Sequence, residues 1–405
     1  MVKRELYMNQ IKEFIGKDTI KVISGIRRSG KSYFLNLIIQ ELLKKGIKEE
    51  NILLIDLEIP PYNYINNRKE LDEIVLSFLK NKTNKVYLFF DEIQNIDEWE
   101  KSINGYYKLQ NTDIYITCSN SKLLSKEFST LLTGRFVNIK MYPFDFNEFI
   151  EYKKELNDNP LFSTKENTEL ENLFQEYLEY GGMPFTISTR TNKITTLNDL
   201  YSSIIYNDIV QRFSIRNIGL FKRVTRYLIE NVGNIISANS IYNQIKNTGT
   251  KITKNTVYNY IDYLEEAFLI LKVTNEQLIG KKAIVGSEKY YLIDQGFYKT
   301  LDEKQKNIGI LENIVYLHLI RNNYKVTIGK IDKYEVDFIA RKDNKKKYFQ
   351  VTYQLANENI IEREFRPLLL IHDNYPKYVL SMDKFDFSRE GIEHINIINF
   401  LSKFE

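Results

Sequence analysis

Apolar strand-like runs and amphipathic helix-like runs alternate along the first part of the chain. Residues 19–24 alternate apolar and polar positions and predict a strand, and residues 33–43 carry helical periodicity. Residues 51–57 predict a second strand, and residues 70–79 an amphipathic helix. Residues 86–90 are wholly apolar, as a buried parallel strand requires. Residues 113–118 and 136–141 predict two more strands. This order predicts an α/β fold over residues 1–155, with a doubly wound parallel sheet at its core.

The pattern changes beyond that point. Residues 157–171 are polar and read as a linker with the start of a helix. A helical run is then broken by Gly181, Gly182 and Pro184, a combination that forces a turn and stops the helix. Residues 156–218 therefore read as a helical lid or linker. Residues 220–231, 237–245 and 253–266 predict three helices, the last capped at Thr253 with Val257, Ile261 and Leu264 on one face. Residues 268–273 and 290–293 look like a β-hairpin. Three helices and a hairpin predict a winged helix over residues 219–295. Its third helix offers Lys251, Lys254, Asn255, Tyr258 and Asn259 to solvent. Such a face suits the phosphates and bases of double-stranded DNA, and a winged helix also serves as a protein-docking or lid module. Residues 296–405 predict a third α/β body: a helix from 311 to 321, a strand at 324–328, and a hairpin of 336–340 with 348–353.

Bulk composition narrows the setting more than the activity. The 57 basic and 53 acidic residues leave a net charge of +4, too little for a strong global field. Nucleic-acid binding therefore has to be argued from local surfaces. The single cysteine, Cys118, excludes an intramolecular disulfide and suits a reducing compartment. Neither a signal peptide nor a bilayer-spanning apolar run is expected, so the reading is cytoplasmic with no membrane partner.

The chemistry concentrates at the ends of the predicted strands. Gly25, Ile26, Arg27, Arg28, Ser29, Gly30, Lys31 and Ser32 match G-x-x-x-x-G-K-[ST] between a strand and a helix that opens near Tyr33. Glycines let such a loop curl so that its N–H groups face phosphates. Lys31 is expected at the β- and γ-phosphates, and Ser32 at Mg²⁺. Asp91 and Glu92 end the apolar strand 86–90, which is expected to lie next to the P-loop strand. There Asp91 would hold the Mg²⁺ water shell, and Glu92 would polarise the attacking water. Ser119 and Asn120 follow the next strand and would face the γ-phosphate or the water, with helix capping by Ser119 or Ser121 as the alternative. Arg135 precedes the fifth strand. It fits an arginine finger reaching a neighbouring subunit's γ-phosphate in a homo-oligomer, or else a structural contact within its own fold.

Taken with Phe89 to Gln94, Thr117 to Leu124 and Thr133 to Phe136, the P-loop resembles that of prokaryotic AAA-type ATPases with a C-terminal DUF4143 domain. The resemblance extends over nearly the whole chain. It implies a Walker A, a Walker B and a sensor-like segment, with ATP and Mg²⁺ as cofactors. It also implies that the Gly-Gly-x-Pro turn lies in a lid near the base or ribose, with Pro184 at the nucleotide. Cys118 stands where many relatives have glycine. The tail resembles a PD-(D/E)xK nuclease core, in which a helix Glu, a strand Asp and a (D/E)-x-K bind metal and activate water. Glu312 and Asp337 fill the first two places, but the third reads Gln350-Val351-Thr352. A nuclease-like fold without activity is the expectation.

These readings converge on Mg-dependent ATP binding and hydrolysis, coupled to movement of a winged helix and a C-terminal domain that act on DNA or a protein. A nucleotide-gated switch or scaffold with slow turnover competes with it. So does a DNA-binding regulator whose ATPase is secondary.

Overall fold

The computed structural model describes residues 2–120, 134–156, 166–189, 192–279, 288–301 and 307–403. The expected cap at Ser121, the segment 122–124 and the polar stretch 157–165 lie outside these residues. The chain divides into two units. Residues 1–143 with 266–268 form the first, and residues 144–265 with 269–405 the second.

The first unit is built on five strands: β1 (Ile20–Ser24), β2 (Ile52–Asp56), β3 (Val86–Asp91), β4 (Thr112–Cys118) and β5 (Phe136–Lys140). All pair in parallel, in the order β2-β3-β4-β1-β5. The α/β reading and every expected strand of this region are found. β1 and β3 are buried at every position, which matches the apolar run of β3, while β1 also buries Lys21 and Ser24. Helix Lys31–Lys44 turns Phe34, Leu35, Ile38 and Leu42 inward, and helix Arg68–Leu79 turns in Leu71 and Val75. Asn67 caps the latter by accepting the Glu70 N–H at 3.1 Å.

Strand order departs from expectation at one point. β3 does not lie next to β1, because β4 stands between them. Both strands are apolar enough for a central place, so local pattern cannot rank them. A charged contact marks the β1–β4 pairing. Lys21 and Asp113 form a fully buried ion pair at 2.5 Å, and Asp113 also accepts from the Tyr115 hydroxyl and the Gly16 N–H. Burial pulls the Lys21 pKa down, with Asp113 opposing. Since all five strands are parallel, Ser24, Asp91 and Cys118 end on the same edge of the sheet.

The second unit begins with helices Phe146–Leu156, Glu166–Tyr180, Pro184–Ser188 and Lys193–Ser203, the last continuing as a π-helical stretch over Ile204–Gln211. Helices Ile218–Glu230, Ala238–Asn247 and Lys254–Glu266 follow where the sequence places three helices. Ser237 and Ser240 form a reciprocal capping box, with bonds of 3.0 and 3.1 Å.

Eight strands then form one sheet: β6 (Ile235–Ile236), β7 (Ile270–Ile279), β8 (Glu288–Leu292), β9 (Lys325–Ile331), β10 (Tyr334–Lys342), β11 (Lys345–Val351), β12 (Lys377–Ser381) and β13 (Glu393–Asn396). Their order is β13-β12-β11-β10-β9-β7-β8-β6. β7 is longer than expected. Its first half pairs antiparallel with β8 and its second half parallel with β9. The expected divisions at 155/156, 218/219 and 295/296 thus fall inside the second unit, and the split of the chain lies at 143/144.

The Gly181-Gly182 turn has a packing explanation within this unit. A Cβ on Gly181, at φ 77°, would meet Asp294 Oδ1 at 1.8 Å, and one on Gly182 would meet the Phe144 carbonyl oxygen at 2.1 Å. Asp294 accepts the N–H groups of Gly182 and Gly296 at 2.7 and 2.8 Å. Burial nevertheless pushes its pKa up to about 6, those N–H groups and Arg321 offsetting only part of the effect. Among the described residues, no helix is long and apolar enough to cross a membrane.

Candidate active site

The loop after β1 is tied down on both sides. The Gly25 N–H donates to the Cys118 carbonyl at 3.2 Å, and the Met141 N–H donates to the Ser24 carbonyl at 2.7 Å. The Ser24 hydroxyl donates to Asn138 Oδ1 at 2.8 Å. A Cβ on Gly25 would stand 2.2 Å from the Met141 carbonyl oxygen, so only glycine lets the chain pass there. Gly30, at φ 97°, turns the loop into the helix that begins at Lys31. Between them Ile26 is buried, Arg28 adopts φ 61°, and Arg27 pairs with Glu58 at 2.6 Å. The Ser29 hydroxyl is buried and has no hydrogen-bond partner among the described residues. Ser32 is exposed at the helix start, and the Tyr33 hydroxyl donates to the Val2 carbonyl at 3.3 Å.

Lys31 is 3% exposed. Its ammonium donates to the Ile26 carbonyl at 3.2 Å and pairs with Glu92 Oε1 at 3.1 Å. Ser32 lies near enough to Asp91 to lower its pKa, so the two residues expected around Mg²⁺ are brought side by side. Thr117, on β4, donates to Asp91 and accepts the Glu92 N–H at 2.8 Å. The intervening strand therefore bridges both acids. Burial raises the Asp91 pKa to about 6, with the Ser32 and Thr117 hydrogen bonds opposing it. Glu92 behaves differently. Burial acts to raise its pKa, but the Lys31 charge and hydrogen bonds from Gln94, Lys31 and Ser119 hold it below the usual carboxylate value. It is ionised near neutrality, as a base must be. Ser119 and Asn120 are buried just past the end of β4.

The structure thus brings together Gly25, Ile26, Gly30, Lys31, Ser32, Asp91, Glu92 and Ser119. Arg135 is elsewhere. Its carbonyl accepts the Ile20 N–H at 2.8 Å, which places it at the amino-terminal edge of the sheet, opposite the P-loop. Its guanidinium donates to Asn104 at 3.1 Å and lies over Tyr107. Pro184 opens a short helix of the second unit. Sequence reading assigned no role to Thr117 or Gln94. Thr117 becomes visible only once β4 is known to separate β1 from β3. Gln94 stands among other polar residues, Asp91, Glu92, Asn95 and Asp97, so the sequence does not single it out.

A second charged cluster lies in the second unit. Glu312, on helix Asn307–Arg321, and Asp337, on β10, the two expected nuclease-like positions, face one common cation. The cation between them comes from β8. Lys289 is 2% exposed, 3.0 Å from Glu312, 2.5 Å from Glu335 and 3.6 Å from Asp337. The Tyr291 hydroxyl also donates to Glu312 at 3.0 Å. Gln350 accepts the Asp337 N–H at 3.3 Å, and Asp337 accepts the Val351 N–H at 2.8 Å. Burial disfavours charge on Lys289, but Glu312, Asp337 and Glu335 outweigh it and raise its pKa. Burial and the neighbouring Glu312 push the Asp337 carboxyl well above its ordinary value. No group of three or more acidic, histidine or cysteine side chains suited to a metal ion occurs among the described residues.

Comparison with known proteins places this geometry. An AAA domain family matches residues 17–150. An uncharacterised protein of Haemophilus influenzae is 35% identical over 405 residues, covering 99% of this chain and 98% of that one. Another, from Methanocaldococcus jannaschii, is 36% identical over 389 residues, covering 93% of this chain and 84% of that one. The chain belongs to a family of AAA-type proteins. Among solved structures, a Walker-type ATPase of Pyrococcus abyssi shares the fold, with a TM-score of 0.52 at 17% identity over 74% of this chain and 95% of that one.

This AAA-type assignment agrees with the β2-β3-β4-β1-β5 sheet and its P-loop. The expected DUF4143 domain is corrected: residues 171–308 match a domain of unknown function, DUF8612. That match spans the helices after the AAA domain together with β7 and β8.

Proposed function

We propose that this protein binds Mg-ATP at the P-loop of its first unit and hydrolyses it in the cytoplasm. One observation carries the reading: Lys31 and Glu92 pair at 3.1 Å, beside Asp91 and Ser32, at the carboxyl edge of a parallel sheet. The residues present suit the metal. A serine hydroxyl and a buried carboxylate side by side form a hard oxygen donor set, and burial raises the Asp91 pKa. Mg²⁺ held by Ser32 and Asp91 would neutralise charge on the phosphate oxygens.

Lys31 would exchange Glu92 for the phosphates. Released from that pair, Glu92 would accept a proton from the attacking water. The water oxygen bonds the γ-phosphorus as the bond to the β-phosphate oxygen breaks, yielding ADP and phosphate. Phosphate release from Mg-ATP by the wild type and by Lys31→Ala tests this. Release that Lys31→Ala reduces at least about a hundredfold supports the reading, and equal release by the two proteins contradicts it.

The finer features join this proposal. Residues 219–295 have the three helices and antiparallel pair of a winged helix, and Lys251, Lys254, Asn255, Tyr258 and Asn259 are all exposed on it. That surface favours double-stranded DNA as the partner. Stimulation of phosphate release by duplex DNA, lost on Lys254→Glu, is the expected result. Pro184 is assigned to a lid at the nucleotide. Arg135, at the opposite sheet edge from its own P-loop, would serve only a neighbour's nucleotide in a homo-oligomer. The tail is assigned a nuclease-like fold without activity, a reading supported by Lys289 pairing with both Glu312 and Asp337.

A further inference from the structure

We infer that Gln94 is a positioning residue, which keeps the Glu92 carboxylate in place when Lys31 turns to the phosphates. The inference rests on the ATPase reading above.

Glu92 is the only acid of the site with a left-handed backbone, at φ 54°. The chain behind it tightens at once into the turn Ile93–Asn95, which carries Gln94 back beside the carboxylate it follows. The two carboxylate oxygens have different partners. Oε1 faces Lys31 at 3.1 Å, and Oε2 accepts from Gln94 Nε2. The same amide nitrogen donates to the Ser119 hydroxyl oxygen at 3.1 Å. Gln94 therefore ties the Glu92 carboxylate to Ser119 at the end of β4.

The amide orientation follows from chemistry. A carboxylate needs a donor, so the nitrogen faces Glu92 and the oxygen faces away. That oxygen, Gln94 Oε1, is buried and has no partner among the described residues.

The division of labour then becomes clear. While Lys31 holds Oε1, Glu92 has two anchors. Once phosphate takes the ammonium, Oε1 is free to face the water and only the Gln94–Ser119 side still holds Oε2. A carboxylate that swings on its own torsions samples the reactive geometry less often, which costs turnover and leaves ATP affinity untouched.

The test is steady-state phosphate release together with binding of a non-hydrolysable ATP analogue, on wild type, Gln94→Ala and the isosteric Gln94→Glu. Gln94→Ala lowers kcat about tenfold or more, while KM and the analogue Kd stay within about twofold. Gln94→Glu keeps the volume but loses both donor hydrogens, so its kcat falls at least as far at unchanged analogue affinity. Ser119→Ala combined with Gln94→Ala costs less than the product of the two single effects, since the two side chains share a hydrogen bond. Variants with kcat within twofold of wild type overturn the inference. So does a parallel loss of kcat and analogue binding, which marks a structural role. A wild type that releases no phosphate overturns the ATPase reading itself, a result distinct from either outcome for the variants.

Discussion

Lys31 and Lys289 are both buried against carboxylates, yet what surrounds them differs. Lys31 has one carboxylate partner, Glu92, and sits in a loop whose Ser29 hydroxyl is buried without a partner. Lys289 has three, Glu312, Glu335 and Asp337. The first ammonium can change partners, because an incoming phosphate offers more negative charge than one carboxylate and the loop is shaped around it. The second is already saturated. A complete motif in the sequence points to the first site and only a partial one to the second, and the two teach that a lysine among acids becomes a working site only where its pairing can be exchanged.

The largest expected effect separates the two clusters by activity. Glu92→Gln lowers kcat for ATP hydrolysis by about 10²–10⁴ while ATP still binds, whereas Glu312→Gln leaves the rate within about twofold. Phosphate release and analogue binding measured on both variants check this. A loss of the same size for Glu312→Gln would break the comparison.

Next comes stability. Lys289→Met leaves its carboxylate partners buried without their cation and costs about 3–5 kcal/mol. Urea unfolding reads that loss. No Mn²⁺-dependent DNA cleavage is expected from the wild type, and cleavage abolished by Asp337→Ala would show that Lys289 does not stand in for a metal.

A smaller effect concerns Asp294, which holds the Gly181-Gly182 turn. Its folded pKa, about 6, lies above the ordinary 3.8. The protonated form is therefore favoured by folding. Its contribution is full below the unfolded value and is lost as pH rises through the folded one. A shift of about two units corresponds to ~3 kcal/mol. Asp294→Asn does not titrate, so the stability advantage of wild type over this variant narrows between about pH 4 and pH 7. Thermal melts across that range decide it, and a constant difference would refute the assignment. Smaller again, Thr117→Val removes the hydroxyl shared by Asp91 and Glu92, and costs about 1–2 kcal/mol in urea unfolding.

How far the sequence could be read follows from the range of the interactions. The P-loop was legible because Gly25 to Ser32 carry their whole function within eight consecutive residues. Asp91 and Glu92 were legible as an apolar strand ending in two acids. Their bridge through Thr117 was not, because it depends on β4 standing between β1 and β3, an order that buried strands of equal apolarity do not encode. The hairpin of β7 with β8 was found, but the second partner of β7 was not. A strand's other edge leaves no trace in its own pattern, so one sheet was divided into two bodies. Lys289 was missed for a related reason. Next to Glu288 at the start of a short strand, it looks like an ordinary solvent-facing lysine until Glu312, 23 residues on, is placed against it.

Calorimetric titration of Mg-ATP into the wild type and into Lys31→Ala measures the central claim most directly. Saturable binding at one site per chain, weakened at least about thirtyfold by Lys31→Ala, is the predicted result. Equal affinity in the two proteins would contradict the account.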